Sequence, residues 1–129
     1  MRNTWTEYNP NPKERRTIDC TVRALSLALG LDWDTVYLML CAVGFAQKTM
    51  PSENGAWGEV LRRNGYRRYE LENDCPGCYT AEEFLERYPF GVYVLGFPSH
   101  VAIAIDGQIY DAWDSTEEAP KFVWTKEWD

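Results

Sequence analysis

The chain has 129 residues, of which 45% are hydrophobic and 15% aromatic, and these values predict one globular domain over residues 1–129 with a substantial core. The formal net charge of -7 disfavours binding to nucleic-acid phosphates. No apolar stretch is typical of a signal peptide or long enough for a membrane span, so we expect a cytoplasmic protein with no membrane partner. Its four cysteines are expected to be reduced in that compartment.

Two helices are predicted in the first third of the chain. The first begins after Asp19, a favourable N-cap residue, and ends at Gly30, a typical C-cap. Asp32 caps the second helix, which is expected to end at Gly44. The spacing of its apolar residues predicts one buried face, so Cys41 is expected in the core. This face consists of Trp33, Val36, Tyr37, Leu40 and Cys41.

Two further helices are predicted with a strand between them. The third helix starts at Ser52 or Asn54, and the segment 66–71 that follows it has the composition of a strand. A capping box over residues 80–83 then starts a short fourth helix. The residues expected to face inward from the third helix are Trp57, Val60 and Leu61.

Cys75 and Cys78 form a Cys-x-x-Cys pair between this strand and the fourth helix. Such a pair is half of a zinc site, but the chain has no second pair of this kind, and Cys41 with His100 would have to complete the site. A thioredoxin-like role requires the pair at the start of a helix, whereas here it precedes the N-cap. The neighbouring turn residues favour a loop staple or a simple turn, so we expect no metal and no cofactor.

The last third of the chain reads as antiparallel strands. Asp106-Gly107 lies between two apolar runs, a pattern typical of a two-residue type I′ hairpin. The resulting register places Ala102 opposite Asp111 and His100 opposite Trp113. With the helices first and the strands last, the layout is α+β. The expected strands are 66–71, 92–97, the hairpin 100–113 and an edge strand over 122–124.

His100 is the only histidine of the chain, so any imidazole-assisted reaction has to use it as the base. Asp111 lies diagonally across the hairpin on the same face, where a carboxylate can orient the ring. Asp114 lies on the opposite face of the strand and is therefore the second candidate for orienting the ring. The alternative interpretation is a strand-end histidine beside surface carboxylates.

Cys20 is the candidate nucleophile because it falls in the first turn of the first helix. The helix dipole there favours a thiolate, although the adjacent charge of Asp19 opposes it. Buried cysteines are also common as plain core residues, and that alternative stays open.

Together these residues resemble the papain-like cysteine peptidase superfamily. The resemblance rests on Asp19-Cys20 at the start of a buried helix, on His100 at the start of an apolar strand, and on Asp111-Ala112-Trp113 on the returning strand. It implies a papain-like fold with N-terminal helices packed on a C-terminal antiparallel sheet, with Cys20 as nucleophile, His100 as base and Asp111 as orienting residue.

The short chain is most similar to the small bacterial members of that superfamily and to small phage-encoded proteins, for which the location would be the host cytoplasm. One departure concerns the oxyanion-binding glutamine, which in papain-like enzymes precedes the nucleophile by about six residues. Glu14 occupies that position, and an ionised carboxylate cannot donate a hydrogen bond. Asn11 is the candidate replacement, and Trp113 and Asp114 are candidate supporting residues.

Two functions from different classes are compatible with this pattern. The first is a thiol hydrolase, a cysteine peptidase or related acyl-transfer enzyme acting on a peptide or protein substrate. The second is a papain-like binding module whose triad is silent, such as a phage-encoded antagonist of a host protein.

Overall fold

The computed structural model describes residues 4–128. These residues form four helices and one six-stranded mixed sheet, which confirms the predicted α+β class. No single helix within this range is long and apolar enough to cross a lipid bilayer. The helices are α1 (Cys20–Leu29), α2 (Trp33–Gln47), α3 (Asn54–Arg63) and α4 (Ala81–Arg87). The strands are β1 (Trp5–Glu7), β2 (Arg67–Glu70), β3 (Val92–Phe97), β4 (His100–Ile105), β5 (Gln108–Asp111) and β6 (Phe122–Thr125).

Three of the predicted helix caps are present, and one predicted helix end is wrong. Gly30 ends α1 in the left-handed conformation, and the Asp32 side chain caps α2. The prediction that α2 ends at Gly44 is wrong, because the helix continues to Gln47. A Cβ at Gly44 would lie 2.9 Å from the carbonyl oxygen of Thr49, so this glycine permits a close approach of the backbone instead of ending the helix. The capping box of α4 is present as predicted.

The sheet differs from the predicted C-terminal antiparallel sheet in two ways. Its strand order is β1-β5-β4-β3-β6-β2, and the N-terminal strand β1, which was not predicted, pairs parallel with β5. The strand expected at an edge, β6, instead lies between β3 and β2. This position requires Gly96, since a Cβ there would lie 2.1 Å from Cζ of Phe122.

Alternating residues of the central strands face two separate cores. Val94 of β3 packs with α1, α2 and α3 on one face, whereas Tyr93 and Leu95 pack with α4 on the other. This alternation is the period of two expected for a strand buried on both faces. Cys41 on α2 is only half-buried, although the sequence placed it in the core.

Cys75 and Cys78 form a disulfide in the loop between β2 and α4. The expectation of four reduced cysteines is therefore wrong for this pair, because the Cα atoms are 4.5 Å apart, within the range that a disulfide spans. The pair staples its loop, one of the alternatives that the sequence left open.

Candidate active site

Cys20 is the first residue of α1 and lies half-buried at the N-terminus of that helix. Cys20 lines one cavity together with His100 and Val101. Burial alone would raise the pKa of the Cys20 thiol, but hydrogen bonding to the His100 side chain and the Val101 backbone, together with the positive charges of His100 and Arg23, lowers it below its ordinary value. The site therefore favours a thiolate.

The β4–β5 hairpin presents His100 as the sequence predicted. Asp106 and Gly107 both have positive φ, 48° and 82°, as a type I′ turn requires, and Ala104 pairs with Ile109. Because the register is kept, the Nε2 atom of His100 lies 2.6 Å from Oδ2 of Asp111. This contact leaves Nδ1 as the ring nitrogen for the Cys20 thiol.

The charge state of His100 is set by opposing effects. Burial lowers the pKa of the imidazole, but the hydrogen bonds and the negative charges of Asp111 and Cys20 outweigh it and raise the pKa to about 9. The lowered pKa of the thiol and the raised pKa of the imidazole both favour a thiolate–imidazolium pair.

Asp111 is almost fully buried, with 1% of its surface exposed, and both of its carboxylate oxygens are occupied. Oδ2 accepts hydrogen bonds from His100 and from the Ser115 hydroxyl at 2.6 and 2.7 Å. Oδ1 accepts from the Ala112 amide at 2.7 Å and from the Arg23 guanidinium at 3.2 Å. Burial raises the pKa of the Asp111 carboxyl, but the hydrogen bond and charge of His100 and the hydrogen bonds from Ser115 and Ala112 outweigh it and lower the pKa, so the residue is ionised.

The N-terminal strand holds the backbone of Asp111 from the other side. The carbonyl oxygen of Asp111 accepts hydrogen bonds from the Trp5 indole at 3.1 Å and from the Tyr8 amide at 2.8 Å. The unpredicted strand β1 and the residue that follows it thus fix the position of Asp111.

A buried ion pair on α1 adjoins the three predicted residues. The Arg23 guanidinium lies between the carboxylates of Asp19 and Asp111, and the side chains of all three are no more than 4% exposed. Asp19 was predicted to cap α1 with its side chain, and this is wrong: the carboxylate instead binds Arg23 and accepts a hydrogen bond from the Trp33 indole at 2.9 Å. These stronger, charge-assisted contacts compete successfully with capping.

Of the supporting residues, Trp113 belongs to the site and Asp114 does not. The centres of the Trp113 and His100 rings are 4.3 Å apart, and the Arg23 guanidinium carbon lies 5.5 Å from the centre of the Trp113 ring. Asp114 instead accepts hydrogen bonds from the amide and hydroxyl of Thr116. The parity argument that ranked Asp111 ahead of Asp114 agrees with this geometry.

The candidate oxyanion residues lie away from the thiol. The side-chain oxygen of Asn11 accepts a hydrogen bond from the Lys13 amide, and Asn11 lines a cavity that does not include Cys20. Glu14 is exposed. The backbone amide of Cys20, in the first turn of α1, is the donor that remains for an oxyanion, because the first amides of a helix have no partner within it.

Two adjoining cavities open at the N-terminus of α1. The smaller, of about 260 Å³, contains Cys20 and His100. The larger, of about 410 Å³, is mostly apolar and is lined by residues that include Trp33, Tyr37 and Leu40. The two cavities share Ile18, Thr21 and Ser52, so they adjoin each other, and together they are called the cleft below.

The sequence analysis missed Arg23 and Ser115. Arg23 carried a usable signal, because a charged residue three positions after Cys20 in an otherwise apolar helix needs a buried partner. Within residues 4–128, no group of three or more His, Cys, Asp or Glu side chains is placed so that it could hold a metal ion.

The fold and the site define an α+β domain in which a helix N-terminus presents a cysteine to a histidine that is held by a buried aspartate. Comparisons of the chain with protein-family models, with curated proteins and with solved structures found no match.

Proposed function

We propose that the protein is a thiol hydrolase or acyl transferase of papain-like type, with Cys20 as nucleophile, His100 as general base and acid, and Asp111 as orienting residue. The observation that carries the proposal is the 2.6 Å contact between the His100 imidazole and the buried Asp111 carboxylate, with the Cys20 thiol in the same cavity as His100 and its pKa lowered by that residue. A structural cysteine does not require a buried imidazole–carboxylate pair beside it.

The reaction would proceed in two steps. The Cys20 sulfur attacks a carbonyl carbon, a C–S bond forms, and the bond to the leaving group breaks as His100 gives that group its proton. His100 then takes a proton from water or an amine, which attacks the resulting thioester and releases the acyl group from Cys20. In both steps Asp111 holds the ring and stabilises the imidazolium.

The cleft supports a peptide or protein as the acyl donor. The smaller cavity places reacting groups against Cys20 and His100, and the adjoining cavity offers apolar walls for a neighbouring side chain. The developing negative charge on the carbonyl oxygen would be met by the Cys20 amide and the N-terminus of α1.

One observation favours the second candidate, a papain-like binding module without turnover. The residue at the position of the oxyanion-binding glutamine, Glu14, is exposed and unable to donate. A single backbone donor leaves the oxyanion less stabilised by about 2.7 to 4 kcal/mol than a pair of donors does.

Multiple turnover of an activated ester separates the two candidates. The protein is mixed with p-nitrophenyl acetate at neutral pH, and nitrophenol release is followed together with the mass of the Cys20 peptide. Wild type and the control Cys41→Ala are expected to release many equivalents per chain and to carry a transient acetyl group on Cys20. Cys20→Ala is expected to be inactive, and His100→Ala to be slower by at least about a hundredfold.

Two results would overturn the enzyme assignment. Acetylation of Cys20 that stops at one equivalent would favour the binding module. Equal rates for wild type and His100→Ala would remove the proposed base.

A further inference from the structure

Arg23 is buried more deeply than a charged side chain ordinarily tolerates. It is 3% exposed and lies on α1, one helical turn after Cys20. Its guanidinium contacts two carboxylates, Asp19 on the same helix and Asp111 on β5. Burying three charges is costly, so their presence beside the candidate triad calls for a reason other than stability.

The two arms of the guanidinium make different contacts. One terminal nitrogen binds Asp19, and the other lies 3.2 Å from Oδ1 of Asp111. Oδ1 is the carboxylate oxygen that does not face His100, so Arg23 does not compete with the imidazole. A guanidinium has the planar fork needed to hold two acceptors at once, whereas a lysine ammonium lacks it.

Asp19 neutralises and positions this arginine. Its carboxylate is 4% exposed, binds Arg23 and also accepts a hydrogen bond from the Trp33 indole N–H. These contacts hold the Arg23 guanidinium near the N-terminus of the helix that carries Cys20. The chain Asp19–Arg23–Asp111 therefore ties the nucleophile's helix to the hairpin that carries the base.

We propose, on the basis of the function proposed above, that Arg23 is a positioning residue that fixes the Asp111 carboxylate, and through it the His100 ring, relative to the N-terminus of α1. In addition, the positive charge of Arg23 lowers the pKa of the Cys20 thiol. The other charged groups around this thiol are His100, which acts in the same direction, and the carboxylates of Asp19 and Asp111.

The test measures two properties of the folded protein that a purely structural arginine would not change. The first is the pH midpoint of Cys20 alkylation by iodoacetamide, read by mass mapping. The second is the low-field NMR signal of the His100 Nε2 proton, which is unambiguous because the chain has one histidine. Circular dichroism verifies that each variant is folded.

Two single variants of Arg23 are compared with one control, and a double variant follows below. Arg23→Met is expected to raise the Cys20 midpoint by about 0.5 to 1 pH unit and to abolish the low-field signal. Arg23→Lys, which keeps the charge, is expected to restore the midpoint to within about 0.3 unit. Arg62→Met is the control, because Arg62 also pairs with a carboxylate on a helix, Glu59, but is exposed. Neither readout is expected to change in this control.

The double variant Asp19→Asn/Arg23→Met keeps the proposal testable if Arg23→Met does not fold, because it removes both charges of the pair and avoids an unpaired buried carboxylate. Its readout is the His100 signal, which is expected to be lost. Retention of that signal and of the wild-type midpoint in folded Arg23→Met, or of the signal in the double variant, would overturn the positioning role. A wild-type Cys20 midpoint at the ordinary value of a free thiol would instead overturn the proposed function itself.

Discussion

Replacing Asp111 by asparagine tests the centre of the candidate site with the smallest change of shape. The carboxylate accepts from four donors: His100, Ser115, the Ala112 amide and Arg23. An amide has one acceptor oxygen and one donor nitrogen. Whichever way the amide is turned, two of these donors face its NH₂ group and lose their partner.

The expected loss of stability follows from those two contacts. A hydrogen bond to a charged acceptor contributes about 1.5 to 3 kcal/mol, so Asp111→Asn is expected to lower the free energy of unfolding by about 3 to 6 kcal/mol. For a chain of this size that loss corresponds to a decrease in Tm of about 11 to 22 °C. Asp111→Ala loses all four contacts and is expected to be less stable still.

The function of the asparagine variant is expected to survive in part. If the amide oxygen faces His100 and Ser115, it still orients the ring, whereas alanine cannot. Loss of the carboxylate charge is expected to lower the His100 pKa from about 9. Thermal denaturation measures the loss of stability, and NMR titration of the single histidine measures the change in its pKa.

Asp114→Asn is the matched control for this experiment. Its Oδ1 atom accepts only from the neighbouring Thr116 among the contacts described, and an amide oxygen can replace it. The reasoning is refuted if Asp111→Asn has the same Tm and the same His100 titration as this control and the wild type.

Two further predictions concern the thiols and pH. Limiting iodoacetamide at neutral pH is expected to label Cys20 before Cys41, because the helix N-terminus and His100 favour the Cys20 thiolate; preferential labelling of Cys41 would contradict the nucleophile assignment. The stability contribution of His100 is fully present below its ordinary pKa of 6.5 and is lost as pH rises through about 9, while the lowered pKa of the Cys20 thiol contributes stability that increases as pH rises toward the ordinary value of 9.0. Urea denaturation is therefore expected to show a smaller decline in stability between pH 6.5 and 9 in the wild type than in Cys20→Ser, and equal slopes for the two proteins would refute the coupling.

Local signals predicted the parts of the site that lie on one hairpin. The Asp106-Gly107 turn fixes the register on its own, so the side of Asp111 relative to His100 could be read from the sequence. The Thr80 capping box and the Gly30 cap are local in the same way, and they were placed correctly.

Contacts between distant segments could not be read in this way. The pairing of Trp5 with Ile109 in β1 and β5 joins residues far apart in the chain, and no turn residue marks it. The three residues of β1 are also too few to show a period of two. Asp19 had the residue type of an N-cap, and only the packing of Arg23 and Trp33 around it redirected its side chain.

The position of β6 determines when the site can form during synthesis. Phe122–Thr125 follows every other described strand in the chain, yet it is inserted between β3 and β2 in the folded sheet. A ribosome-bound chain that already contains Cys20, His100 and Asp111 therefore still lacks an interior strand of the sheet. Because such long-range pairing is slow and has to wait for its last partner, we expect the candidate site to form only after translation has passed residue 125. Until then the Cys20 thiol lacks the contacts that lower its pKa in the folded protein.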